Sequence, residues 1–222
     1  MSRKLQDKQQ RRLAEERRRK EQQRHARRRN LVTLGIVALV AVVVVALIVN
    51  ERRAESGPVG VAEGEAACTE IERFEEAGAQ HVADGTDVQY ETDPPTSGNH
   101  YDAPAEPGFY DVASGAQLPE ERLVHNLEHG QIVFWYDPNN EEVQDGLERL
   151  IDNQPTEYAL TLIAAPNSGI QAPTGFTMTA WGAMQSCEEV SESVINQFRA
   201  EFQGRGPETF AEIPPFTGEG DA

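Results

Sequence analysis

The apolar positions of this chain form one unbroken block and several short patterned ones. The block is LVTLGIVALVAVVVVALIV, residues 31–49, and it carries no charge. As a helix rising about 1.5 Å per residue, it spans roughly 28 Å, close to the hydrocarbon thickness of a bilayer. Its many β-branched residues are mediocre helix formers in water. In lipid, however, the backbone has to satisfy its own hydrogen bonds, so helix is expected. The rival reading is a cleaved signal sequence. Such sequences have apolar cores of about 7–15 residues and end at a small-residue site. This run is longer, and Asn50-Glu51-Arg52-Arg53 follows it. The pattern therefore predicts one transmembrane helix over residues 31–49.

Beyond the block the pattern becomes that of a folded domain. Residues 50–66 are polar, with Gly and Pro, and read as a linker; residues 212–222 read as a flexible tail. Between them, 67–211 is long enough for one domain with one core. Thr69–Ala77 reads as a short helix. Gln131–Asp137 (QIVFWYD) has strong strand propensity. Asn140–Asn153 sets Val143, Leu147, Leu150 and Ile151 at helical spacing. Tyr158–Ala165 and Phe176–Met184 read as strands. Cys187–Gln203 gathers Val190, Val194, Ile195, Phe198 and Phe202 on one helical face, ended by Gly204. This order predicts an α+β fold: a small, mainly antiparallel sheet with helices packed on one face. Residues 84–122 hold most of the turn signals, including Asp93-Pro94-Pro95, Ser97-Gly98 and Pro107-Gly108. Irregular segments of that length in compact domains are often functional.

Charge fixes the orientation. Residues 1–30 hold 13 Lys+Arg against 4 Asp+Glu, which leaves 7 and 33 for the rest of the chain. A basic tail before the span places the N-terminus in the cytoplasm and residues 67–211 outside the cell membrane. The tail has no aromatic residue and few apolar ones, so it reads as a topology signal in contact with lipid headgroups rather than as a nucleic-acid binder. The acidic outer domain likewise argues against nucleic acid as a partner. Cys68 and Cys187 both fall outside, where oxidation is permitted, and an even count suits one disulfide.

The chemical lead is histidine. Leu123-Val124-His125-Asn126-Leu127-Glu128-His129-Gly130 puts His125 and His129 one helical turn apart, while Leu123 and Leu127 form a separate stripe. Gly130 is placed to stop the helix. His100 follows the turn-prone Pro94-Pro95-Thr96-Ser97-Gly98-Asn99. Three imidazoles with an open position suit zinc or copper, so His100, His125 and His129 are the candidate ligands. His81 and Met178 are further candidates; a thioether would favour Cu(I), which puts copper first and zinc second. Met184 is expected on the same strand face as Met178. His125 to His129 also spells H-x-x-E-H, the inverted zincin signature, with Glu128 as general base.

Several phrases carry a family resemblance. They are Gln80-His81-Val82, Tyr90, Pro94-Pro95-Thr96-Ser97-Gly98-Asn99-His100, Gly108-Phe109-Tyr110, the eight residues from Leu123 to Gly130, and Thr179-Ala180-Trp181-Gly182. From about Cys68 to Pro207 the chain resembles the bacterial domain of unknown function 3105. The resemblance implies a short tail, one membrane span and then the domain, and it implies no established activity. All four outer histidines fall inside its phrases; the cysteines and Met184 do not. Three readings follow: a membrane-anchored metal-binding or metal-handling domain, a zinc-dependent hydrolase with Glu128 as base, and a metal-free module for an envelope protein partner.

Overall fold

The computed structural model describes residues 57–111, 118–208 and 210–218. The predicted basic tail and transmembrane helix lie outside the described residues. Among those described, no helix is long and apolar enough to cross a membrane. The described residues from Pro58 onward form a compact unit.

The organising strand is β5 (Ile132–Tyr136), buried along its whole length. Its apolar run is continuous because both of its faces are covered. Ile132, Phe134 and Tyr136 enter one core; Val133 and Trp135 enter another on the opposite face. Helix α2 (Glu141–Asp152), whose N-cap Asn140 side chain accepts from the Val143 amide, carries the chain over to β6 (Leu162–Pro166), which pairs with β5 in parallel. On its other side β5 pairs antiparallel with β7 (Phe176–Ala180), and β7 pairs antiparallel with β8 (Ala183–Cys187). The two-residue strands β1 (Glu72–Arg73) and β4 (Gly108–Phe109) complete a sheet of order β1-β8-β7-β5-β6-β4. A separate ribbon pairs β2 (His81–Val82) with β3 (His100–Tyr101) in parallel.

The fold is α+β, as the pattern predicts, with differences of detail. Pairing is mixed, because the β5–α2–β6 crossover returns the chain in the same direction. Helices cover both faces: α2 and α3 (Glu192–Phe202) pack on one, while α1 (Glu120–Glu128) packs Leu123 and Leu127 on the other. Thr69–Ala77 forms no helix but supplies edge strand β1. The single strand expected over Phe176–Met184 is a hairpin turning at Trp181-Gly182, where Gly182 has φ +69°. That turn separates the two methionines. Met178 faces the α2/α3 core, whereas Met184 pairs with Thr179 on the opposite face.

Both expected flexible ends are partly docked. Val59 and Ala66 belong to the core, and the Val61 amide donates to the Val190 carbonyl. Ile213 is buried, and Phe216 packs on the Tyr158 ring and beneath the Arg199 guanidinium. Cys68 and Cys187 are joined as a disulfide, tying the segment before β1 to the end of β8.

Candidate metal centre

Helix α1 lies between the sheet and the β2–β3 ribbon. Its leucines face the sheet, so the opposite face meets the ribbon. His125, Glu128 and His129 sit at i, i+3 and i+4 on that face. Seven of its nine residues are buried, His125 and Glu128 among them. Gly130 ends the helix at φ +85°, with its amide donating to the Leu127 carbonyl. A Cβ there would also lie 2.8 Å from the Gly204 backbone.

The ribbon brings two more histidines to the same place. His81 and His100 are register partners. The preceding turn is fastened from several directions: Ser97 Oγ accepts from the Ala77 amide, Asn99 Oδ1 accepts from the Gln80 amide, and the Tyr90 hydroxyl donates to the Asn99 carbonyl. The Pro and Gly content marks the stretch before His100 as turn-prone. The structure adds these bonds.

Each imidazole is anchored from outside by one nitrogen. His100 Nδ1 donates to the Gly98 carbonyl at 2.9 Å, and His125 Nδ1 to the Tyr101 carbonyl at 2.6 Å. His81 Nδ1 lies 2.9 Å from Asp102 Oδ1. A carbonyl only accepts, so the proton on His100 and His125 is fixed at Nδ1 and the Nε2 lone pair is turned inward. This is the outer-shell arrangement that orients metal-binding histidines. Inside the cluster, His100 Nε2 stands 2.8 Å and His81 Nε2 3.6 Å from Glu128 Oε2. One ligand atom from each of His81, His100, His125 and Glu128 lies within 4.8 Å of every other. Bonds of about 2.0–2.1 Å in a tetrahedron would separate ligand atoms by roughly 3.3 Å, so the observed spread needs only small side-chain movements.

The electrostatics favour a cation. His100 and Glu128 are 0% and 2% exposed. With the His100 proton on Nδ1, its Nε2 lone pair faces a carboxylate oxygen, and that contact requires a proton or a metal ion between the two atoms. Among the described residues no Arg or Lys pairs with Glu128, and a buried carboxylate without a counter-charge is strongly disfavoured. His125 is pushed below the ordinary histidine range, chiefly by burial and further by His100 and His81, against the pull of the Tyr101 carbonyl and Glu128. His129 is pushed down to about 4, first by burial and then by His125. His129 therefore stays neutral, and able to donate a lone pair, through mildly acidic pH, and the shift on His125 runs in the same direction.

Of the sequence candidates, His81, His100 and His125 come together. His129 stands beside them, its Nε2 2.9 Å from His125 Nε2 and its ring 4.3 Å from that of Phe210. Met178 does not join them, because the sheet lies between its side chain and α1. The sequence marks Glu128 only as a general base, yet it stands among the ligand atoms; its i+3 spacing from His125 is the available signal. Gly98 and Tyr101 anchor through main-chain carbonyls, which every residue carries, so neither they nor Asp102 could be assigned this role from the sequence.

An α+β domain with a buried histidine–carboxylate cluster between a helix and a two-stranded ribbon is the class of protein defined by this fold and site. The chain belongs to the family described as protein of unknown function (DUF3105), which matches residues 81–213 and thus includes every residue of the cluster. No curated protein and no solved structure matches it.

Proposed function

We propose that this protein is a membrane-anchored, extracytoplasmic metal-handling protein that binds a divalent first-row cation, zinc foremost, through His81, His100, His125 and Glu128. The observation carrying this reading is the shared orientation of the three imidazoles, with each Nδ1 held by an outer acceptor and each Nε2 on the inner side, beside Glu128 for His81 and His100 and beside His129 for His125. The donor set argues for a divalent ion over Cu(I). The argument for Cu(I) was a thioether, and a carboxylate oxygen stands in its place. His81 and Asp102 are solvent-exposed, so an ion reaches the site from outside and can leave it, which suits handling better than permanent structural use. The anchor and the side of the membrane rest on the apolar run at 31–49 and the basic residues before it.

The hydrolase reading has less support. A general base needs its carboxylate beside an open coordination position, whereas Glu128 Oε2 is engaged with His100. The test is metal analysis of the full chain, purified in detergent, stripped with chelator and reloaded with Zn(II). Bound zinc that resists dialysis and is lost in both His100→Ala and His125→Ala supports the reading. A wild-type chain holding no more zinc than these variants overturns it.

A further inference from the structure

Resting on the metal reading above, we infer that the centre takes two cations, the second held by Glu128, His129 and Glu208, with the Glu128 carboxylate shared between them. One ligand atom from each of these three residues lies within 4.8 Å of the others, and Glu128 belongs equally to the first group. A carboxylate has two oxygens and so can face both positions.

Backbone packing delivers Glu208 to this spot. Its amide donates to the Glu128 carbonyl at 3.0 Å. Two residues earlier, Gly206 runs so close to the end of α1 that a Cβ would stand 2.0 Å from the Glu128 carbonyl oxygen and 2.5 Å from the Gly130 nitrogen. The segment after α3 is thereby fastened across the helix terminus, with a carboxylate beside His129.

A second, independent observation is the contact between the two helix histidines. His125 donates from Nδ1 to the Tyr101 carbonyl, so its Nε2 accepts the His129 Nε2–H across 2.9 Å. Moving that proton to His129 Nδ1 frees both Nε2 atoms, one for each group, side by side as a pair of ions at the roughly 3.5–4 Å spacing of two-metal sites requires. Charge is consistent as well. Two carboxylates and four neutral imidazoles leave a pair of divalent cations with net positive charge and open positions for water or an anionic ligand. Of the three residues Glu208 is exposed, and a groove of about 280 Å³ lined by Pro104, Asn126, Leu160, Phe210 and Ile213 opens on His129.

The test uses the full chain in detergent, titrated with Zn(II) and separately loaded with Cu(II) as a paramagnetic probe. Expected are two tightly bound Zn(II) per wild-type chain and one in Glu208→Ala. Glu208 is exposed, so that variant keeps the fold. Cu(II)-loaded wild type shows a spin-coupled pair by electron paramagnetic resonance, with a half-field transition and a diminished main signal. Glu208→Ala gives an uncoupled single-ion spectrum. One zinc in both proteins, or two uncoupled Cu(II) signals in wild type, overturns the second position and leaves the first intact. No bound zinc in either overturns the metal reading and this inference together.

Discussion

Replacing Glu128 with glutamine tests the cluster with little change of shape. In the metal-free protein the effect should be small. The glutamine amide has the same volume and can donate to the His100 Nε2 lone pair, which the Gly98 carbonyl holds in place. A buried polar group that keeps a hydrogen-bond partner changes stability by about 1 kcal/mol or less. With metal the effect should be large. An ion present at about 1,000 times its Kd stabilises the folded state by about 4 kcal/mol. A domain of this size gains roughly 2–4 °C per kcal/mol, so wild type should melt some 8–16 °C higher with zinc than without. Loss of an outer-shell partner weakens metal binding by about 10–100-fold, and a direct carboxylate ligand lies at or beyond the upper end. A 100-fold loss leaves about 1.4 kcal/mol, or roughly 3–6 °C. The assay is thermal melting of the full chain followed by tryptophan fluorescence, with chelator and with zinc. A full zinc shift retained in Glu128→Gln would refute the placement of that carboxylate on the ion. A metal-free melting point lowered by 10 °C or more would refute the claim that His100 and Glu128 meet only through a proton or cation.

Acid should weaken the metal-free domain in a defined window. The folded state holds His125 below its ordinary value and His129 at about 4. Below about pH 6.5 the unfolded chain therefore takes up protons that the folded one does not, and stability falls as pH drops toward 4. Urea titrations at pH 7, 5.5 and 4.5 should show a shallower decline in His129→Gln than in wild type; equal slopes would remove His129 as a source of the effect. Reducing the Cys68–Cys187 bond releases a loop closed across a separation of 119 residues. The chain-entropy model gives about 4–5 kcal/mol for such a loop, to be read as a lower urea midpoint in the Cys68→Ser, Cys187→Ser double variant. An unchanged midpoint would show that the core at β8 holds without the bond.

Local pattern determined a good deal by itself. The helix spacing of Val143, Leu147 and Leu150, the strand run at 132–136 and the glycine stop at 130 each follow from chemistry within a few residues of chain, and the structure has all three. So does the division of α1 into a leucine face and a histidine face, because side-chain direction on a helix is fixed by spacing alone. What lay beyond the sequence was every decision made between distant segments. The turn at Trp181-Gly182 split one apparent strand into two and sent Met178 to the far side of the sheet. Docking of Ile213 and Phe216 turned a polar-looking tail into packed structure. Above all, Glu128 reads as the general base of H-x-x-E-H until the β2–β3 ribbon carries His81 and His100 against it and places it among the ligand atoms. A ligand set is a set of distances: helix spacing sets residues 125 and 128 side by side, and tertiary packing alone brings residues 81 and 100 to them.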